Sequence, residues 1–134
     1  MKVYLGGTCQ GKTDFVRAAY PDAEYFFSPT VSFLEQSVKK IQKNDPVIWD
    51  GFNYSIRNET SAEDFNLDET LMRILSLAEN ADFVIVSDEV GNGIVPMDKN
   101  EREYREATGR ILIELASRSE AVSRIICGME QKIK

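Results

Sequence analysis

The chain has 134 residues, of which 43% are hydrophobic and 28% are charged, and these values are typical of one ordinary globular domain. Its formal net charge of -6 excludes a broad nucleic-acid-binding surface, because phosphate backbones are bound mainly by clustered Lys and Arg. The sequence contains no histidine, which excludes a His-based catalytic triad, a His-based zinc site and an intermediate that carries a phosphoryl or nucleotidyl group on histidine.

Targeting signals and disulfides are not indicated by the sequence. No apolar run approaches the ~20 residues that a membrane span needs, and the apolar stretch after Met1 is too short for the core of a signal peptide. Cys9 and Cys127 are too few for a disulfide framework and have no neighbouring metal ligands. We therefore expect a soluble cytoplasmic protein with reduced thiols.

The first half of the chain alternates between strand and helix patterns. Residues 3–5 form a short buried strand, and residues 12–20 form a helix that ends near Pro21. A second strand is predicted at residues 23–27. The pattern from Ser32 to Glu35 matches a capping box that opens a helix running to about Lys43.

The second half continues this alternation. The predicted elements are a buried strand at 46–50, a mobile polar loop at 57–68, a helix at 67–79, a strand at 83–86, an amphipathic helix at 99–117 and a closing strand at 122–127. Strands that are nearly continuous apolar runs and alternate with helices predict an α/β fold with a mostly parallel sheet, covered on both faces. The chain shows no repeat or linker, so we expect residues 1–134 to form a single nucleotide-binding domain.

A glycine-rich octet follows the first predicted strand and matches the phosphate-loop pattern G-x-x-x-x-G-K-[ST] at each fixed position. It consists of Gly6, Gly7, Thr8, Cys9, Gln10, Gly11, Lys12 and Thr13. Glycines allow successive amides to face phosphate oxygens, and the following helix adds its positive N-terminal dipole. Lys12 is expected to reach the β- and γ-phosphates, and the Thr13 hydroxyl to bind Mg²⁺. A simple turn with a solvated lysine is the alternative, but the flanking strand and helix favour phosphate binding.

Acidic residues follow two of the other predicted strands. Asp50 ends the strand at 46–50, where a phosphate-loop protein places the acid that holds Mg²⁺, although Asp50-Gly51 is also a common turn dipeptide. Asp88 and Glu89 follow the strand at 83–86, in a loop that also suits a solvent-facing connection. Because the carboxyl ends of parallel strands share one sheet edge, Lys12 and Asp50 are expected to meet there.

The C-terminal third resembles a known family. The run 89–96 (EVGNGIVP), then Tyr104-Arg105, Gly109-Arg110, Cys127-Gly128 and residues 132–134, resembles the bifunctional adenosylcobinamide kinase / adenosylcobinamide-phosphate guanylyltransferase of cobalamin synthesis. The phosphate loop fits this family as well. The resemblance is close over 89–134 and 3–17 and slight between them.

The resemblance implies a fold, a reaction and partners. The fold is the three-layer P-loop nucleoside triphosphate hydrolase-like fold with a mostly parallel central sheet. The reaction is the Mg²⁺-dependent transfer of the γ-phosphoryl group of ATP or GTP to the hydroxyl of adenosylcobinamide or a related alcohol. Glu89 is the candidate that orients or deprotonates this hydroxyl. The resemblance also suggests a ring-like homo-oligomer, a trimer, with neither a nucleic acid nor a membrane as partner.

The chain departs from the family in three respects. The family's guanylyltransferase activity proceeds through a nucleotide-carrying histidine, which is absent here, and the segment between Lys12 and Asp50 is shorter. Family members also usually carry Asn where Asp88 stands. We therefore expect a kinase without guanylyltransferase activity. A non-catalytic nucleotide-binding relative that has lost its acceptor site is the alternative.

Overall fold

The computed structural model describes residues 1–42 and 45–134, and within them the chain forms a six-stranded sheet in the order β2-β3-β4-β1-β5-β6. The strands are β1 (Lys2–Gly6), β2 (Glu24–Phe27), β3 (Pro46–Asp50), β4 (Asp82–Asp88), β5 (Ala121–Ile126) and β6 (Met129–Lys132). Strands β1 to β5 pair in parallel, whereas β6 pairs antiparallel with β5. The helices are α1 (Lys12–Ala19), α2 (Val31–Ser37), α3 (Phe52–Thr60), α4 (Leu67–Asn80) and α5 (Lys99–Arg118).

Side chains that alternate along each central strand supply two apolar cores. In β3, Val47 and Trp49 pack into the cluster that includes α2, α3, α4 and α5, whereas Ile48 packs into the cluster with Val16 of α1. This alternation follows from the two-residue period of a strand, and it buries both faces of the sheet. The arrangement confirms the predicted three-layer α/β fold with a mostly parallel sheet.

The predicted elements agree with the structure at several boundaries and differ at others. Strand β3 has the predicted bounds, and α1, α4 and α5 differ from prediction by one residue. The prediction of a capping box from Ser32 to Glu35 was wrong. Thr30 caps α2 by accepting a hydrogen bond from Phe33 N at 3.2 Å, and Glu35 binds Arg73 instead. The helix ends at Ser37 and continues as a 3₁₀ turn (Val38–Lys40), and the predicted end at Lys43 lies outside the described residues.

The predicted mobile loop at 57–68 was wrong in its first part. Residues 52–60 form α3, and the connection to α4 is only 61–66. Phe52 and Ile56, four residues apart on one helix face, are fully buried. Asn53 and Ser55 of the same helix are buried as well, whereas Asn58, one of the polar residues that suggested a loop, is exposed.

The closing strand was predicted to end at Cys127, and β6 was not predicted. Strand β5 ends at Ile126, and the turn at Cys127-Gly128 reverses the chain into β6. All residues of β6 are exposed, so this edge strand carries no apolar alternation that would predict it. Within the two described ranges, no helix combines the length and apolar character that a bilayer crossing demands.

Candidate functional site

The phosphate loop connects β1 to α1, and its glycines satisfy two different constraints. A Cβ on Gly6 would lie 2.5 Å from the Ile125 carbonyl oxygen, so the neighbouring strand leaves no room for a side chain. Gly11 has φ +83°, a left-handed conformation that other residues rarely adopt. It is also the N-cap of α1, and because it has no side chain to cap the helix, the first amides of α1 remain available to an anion.

Lys12 is the first residue of α1, and its side chain is buried against the loop. Its Nζ donates to the Gly7 carbonyl oxygen at 2.7 Å and forms an ion pair with Asp88 Oδ1, also at 2.7 Å. The ammonium is therefore held between the loop backbone and the end of β4. A cation in this position faces any phosphate that the loop binds.

Thr13 and Asp50 lie side by side at the carboxyl end of β3. Thr13 Oγ1 donates to Asp50 Oδ2 at 2.6 Å, and Tyr25 OH donates to the same oxygen at 2.9 Å. Asp50 Oδ1 accepts a hydrogen bond from Gly51 N at 2.7 Å. Burial, followed by the hydrogen bond to Asp50, raises the pKa of Tyr25 to about 12, so the phenol remains a proton donor at neutral pH.

A cavity of about 350 Å³ brings these residues together at the carboxyl ends of β1, β3 and β4. Of the octet, residues 9–13 line it. Asp14, Phe27, Asp50, Gly51, Asn53, Tyr54 and Asp88 complete its lining. Among the described residues, this lining contains one cation, Lys12, and three carboxylates, Asp14, Asp50 and Asp88. The cavity thus has a net negative lining, so a polyphosphate would enter it more readily with a divalent cation.

Asp88 is part of this site, although the sequence analysis named it as a strand-end acid and did not assign it to the site. It ends β4, and Gly6 at the start of the phosphate loop pairs with it in the sheet. Tyr54 OH donates to Asp88 Oδ2 at 3.3 Å, and the charge of this carboxylate raises the pKa of Tyr54. Asn53 accepts from the Asp88 amide at 3.1 Å and donates from Nδ2 to Tyr104 OH at 3.4 Å.

Asn53 and Tyr54 were missed because they lie in the first turn of α3, and the sequence analysis assigned no element to residues 51–56. Both residues directly follow Asp50-Gly51 at the end of a buried strand. Polar residues just beyond a strand that carries a candidate metal ligand were the signal available in the sequence.

Glu89 does not line the cavity that gathers Lys12, Thr13 and Asp50. Its two carboxylate oxygens accept hydrogen bonds from the Arg124 guanidinium, Oε1 from Nε at 2.5 Å and Oε2 from Nη2 at 2.9 Å. Its amide donates to the Gly6 carbonyl at 2.9 Å. The structure therefore brings Lys12, Thr13 and Asp50 together and replaces Glu89 with Asp88 at the cavity.

A second cavity, of about 230 Å³, adjoins the first and shares Asn53, Tyr54 and Asp88 with it. Thr8 of the octet lines this second cavity rather than the first. The remaining lining is mostly polar and comes from Arg57, Glu89, Val90, Gly91, Asn92, Glu101, Tyr104 and Arg105. The Arg57 guanidinium lies 3.9 Å from the centre of the Tyr104 ring and binds both oxygens of Glu101. Asp88 thus lies where the cavity of about 350 Å³ meets the cavity of about 230 Å³.

Comparison with known proteins agrees with the resemblance in the sequence. A family model described as cobinamide kinase / cobinamide phosphate guanyltransferase matches residues 24–133, so the match begins after the phosphate loop. The bifunctional adenosylcobalamin biosynthesis protein CobU of Salmonella typhimurium is 30% identical to the chain over 94 residues, which cover 69% of this chain and 47% of that protein. The match thus spans about half the length of this relative. The chain belongs to the cobinamide kinase / cobinamide phosphate guanyltransferase family.

Proposed function

We propose that this chain is a Mg²⁺-dependent phosphotransferase that moves the γ-phosphoryl group of ATP or GTP to the hydroxyl of adenosylcobinamide or a related alcohol. Residues 1–134 would act as a single nucleotide-binding domain. The observation that carries the proposal is the cavity that gathers Lys12, Thr13 and Asp50 beside the loop amides. The adenosylcobalamin biosynthesis role in the relative's name supports a corrinoid acceptor in this chain as well.

The phosphate loop would act mainly through charge and position. The amides at the start of α1 would hold phosphate oxygens, and Lys12 would turn from Asp88 toward the β- and γ-phosphates. Phosphoryl transfer has a loose transition state that gains most from fixed electrostatic stabilisation. Lys12 is buried and directly follows the loop, so its ammonium would provide this stabilisation without a large rearrangement of the surrounding protein.

Thr13 and Asp50 fit the requirements of a Mg²⁺ site. Mg²⁺ prefers oxygen ligands and is usually held by one or two protein oxygens together with substrate phosphates and water. The two side chains present adjacent oxygens, and Tyr25 and Gly51 orient the carboxylate. When bound, Mg²⁺ would neutralise charge on the phosphate oxygens.

Asp88 is better placed than Glu89 to contact the acceptor. Asp88 lines both cavities, whereas Glu89 lines the 230 Å³ cavity but not the 350 Å³ one and is paired with Arg124. An acceptor hydroxyl bound in the 230 Å³ cavity, which Thr8 of the octet also lines, would reach Asp88 at the boundary between the two cavities. As the acceptor oxygen bonds to the γ-phosphorus and the bond to the leaving diphosphate breaks, Asp88 would orient the hydroxyl and take its proton.

The proposal does not include guanylyl transfer. Such a transfer through a covalent enzyme needs a nucleophile that attacks the α-phosphate and later leaves, and the chain has no histidine for this role. Lys12 is engaged with Asp88 and the loop, and as an ammonium it has no lone pair with which to attack.

One observation favours a second candidate function, namely a non-catalytic nucleotide-binding protein. Asp88 forms an ion pair with the ammonium of Lys12 at 2.7 Å and adds a negative charge to the cavity. A site of this kind could bind nucleotide and release it unchanged.

Single-turnover labelling separates the candidates. The protein is mixed with γ-labelled ATP or GTP and Mg²⁺, with or without adenosylcobinamide, and in parallel with α-labelled GTP. We expect γ-label on the corrinoid and no α-label on the denatured protein. Lys12→Met should abolish the transfer, whereas Lys99→Met, at the exposed start of α5, should not. Nucleotide binding without transfer would support the non-catalytic candidate, and acid-stable α-label on the protein would refute the kinase-only proposal.

A further inference from the structure

The turn between β5 and β6 contacts the phosphate loop directly. The backbone carbonyl of Gln10 accepts a hydrogen bond from Gly128 N at 2.8 Å, and the side-chain Oε1 of the same residue accepts one from Cys127 N at 2.9 Å. A Cβ on Gly11 would lie 3.3 Å from Gly128 Cα, so the two segments touch. We call Gln10, Cys127 and Gly128 the loop clamp.

The loop clamp determines the direction of one amide of the phosphate loop. In a trans peptide, the carbonyl of one residue and the N–H of the next point in opposite directions. The bond from Gly128 to the Gln10 carbonyl therefore directs the Gly11 N–H away from the turn. In the part of the chain that the structure describes, no group accepts a hydrogen bond from this N–H, and Gly11 lines the phosphate cavity.

We propose that the β5–β6 turn is a positioning element for phosphate binding, with Gln10 and Gly128 holding the Gly11 amide ready for a phosphate oxygen. This inference rests on the proposed nucleotide site. An amide held in advance does not have to be ordered when the ligand binds, so the loop clamp would increase affinity for the nucleotide. It would also explain why an exposed edge hairpin, with little apolar packing in β6, accompanies the phosphate site.

Gly128 is suited to this role by its backbone. Its φ is +75°, and among the described residues no atom lies within 4 Å of an added Cβ. A side chain would therefore fit in space but would strain the backbone that aims the Gly128 N–H at Gln10. Gly93 has the same properties, with φ +92° and open space around an added Cβ, but lies in the loop between β4 and α5.

The test compares Gly128→Ala with Gly93→Ala as its matched control. Calorimetric titration with Mg·ATP and Mg·GTP should show affinity reduced about tenfold in Gly128→Ala and changed less than about twofold in Gly93→Ala. Thermal unfolding of both variants checks that they remain folded. Gln10→Met keeps the side-chain length but removes the Oε1 acceptor, and it provides a second variant that leaves the turn glycine intact.

Two further measurements distinguish a clamp from a general loss of stability. The effects of Gln10→Met and Gly128→Ala on affinity should be non-additive, because the two hydrogen bonds that they weaken join the same turn to the same residue of the loop. The Gly11 amide resonance of the nucleotide-free protein should shift in both variants and remain in place in Gly93→Ala.

The outcomes separate this inference from the proposed function. If the wild type binds nucleotide and both clamp variants bind it equally well, the loop clamp is refuted and the nucleotide site stands. If the wild type binds neither nucleotide, the proposed function fails, and the Gly11 resonance alone then decides whether the turn positions this amide. An unmoved resonance in both clamp variants would overturn the inference.

Discussion

Replacing Asp88 with Asn should strengthen nucleotide binding while slowing phosphoryl transfer. Asp88 holds Lys12 at 2.7 Å, with 8% of the lysine side chain and 16% of the aspartate side chain exposed, so water screens the pair little. Lys12 must give up this partner, or share it, when a phosphate enters the cavity. Asn at this position keeps an oxygen for Lys12 but removes the competing charge.

The size of the effect follows from the kind of bond that is lost. A hydrogen bond that involves a charged group contributes roughly 1.5–3 kcal/mol; the Lys12–Asp88 pair, charged on both sides, lies toward the upper end of this range, and a bond from Lys12 to a neutral Asn oxygen lies toward the lower end. In the variant, the nucleotide-free protein therefore loses on the order of 1.4 kcal/mol of stabilisation at Lys12. Because Lys12 then gives up less when a phosphate enters, the nucleotide should bind about tenfold more tightly. Turnover should fall by at least about tenfold, because the proposed contact with the acceptor hydroxyl loses its charged acceptor.

Calorimetry with Mg·ATP and Mg·GTP measures the binding, and single-turnover labelling measures the transfer. Asp64→Asn is the matched control, since Asp64 is exposed in the 61–66 connection and its replacement changes net charge equally. The Tyr54 pKa should also fall toward its ordinary value in Asp88→Asn, because the charge of Asp88 is the largest cause of its rise. Unchanged or weaker nucleotide binding in Asp88→Asn would refute the competition argument and indicate that the carboxylate assists binding.

Three other changes test the metal site, an ion pair and the core. Asp50→Asn should weaken nucleotide binding more with Mg²⁺ present than in its absence, and equal losses in calorimetry would leave Asp50 as a turn residue. Glu35→Gln should lower the urea midpoint near neutral pH, because Arg73 holds the pKa of Glu35 below its usual range. The difference in midpoint between wild type and variant should shrink as the pH falls below about 4.3, where the Glu35 carboxylate becomes protonated. A difference that stays constant with pH would contradict this role of the ion pair. Phe52→Ala should reduce the free energy of unfolding by about 3–5 kcal/mol in denaturant titrations, and a loss below about 1 kcal/mol would show that its site is not tightly packed.

Part of this protein is determined by contiguous residues, and that part was predictable. The octet from Gly6 to Thr13 specifies a loop between a strand and a helix through glycine spacing and chain direction alone. Strand β3 (Pro46–Asp50) has its predicted bounds because an uninterrupted apolar run between polar segments has few other structures in a covered parallel sheet. The family was also recognisable, because the continuous segment from Glu89 onward resembles the sequence of that family closely.

The helix α3 was decided by tertiary packing. Asn58 and Thr60 in its second half suggest a loop, whereas Asn53 and Ser55 in its first half are buried because each finds a partner from elsewhere in the chain. Asn53 bonds to the Asp88 amide and Tyr104, and Ser55 accepts a hydrogen bond from Trp49 Nε1 at 2.9 Å. A buried polar group costs little when it is hydrogen-bonded, and only the three-dimensional structure supplies these partners.

Strand pairing in the sheet likewise determined which of Asp88 and Glu89 lies beside Lys12. The sequence places two acids in succession at the end of a strand, and neighbouring side chains on a strand point to opposite sides. Pairing of β4 with β1 sets Asp88 opposite Gly6, beside the phosphate loop, and β5 brings Arg124 to Glu89. The sequence alone determined that a phosphate loop and strand-end acids exist, whereas strand order and register decided which acid meets Lys12, because both depend on contacts between distant segments.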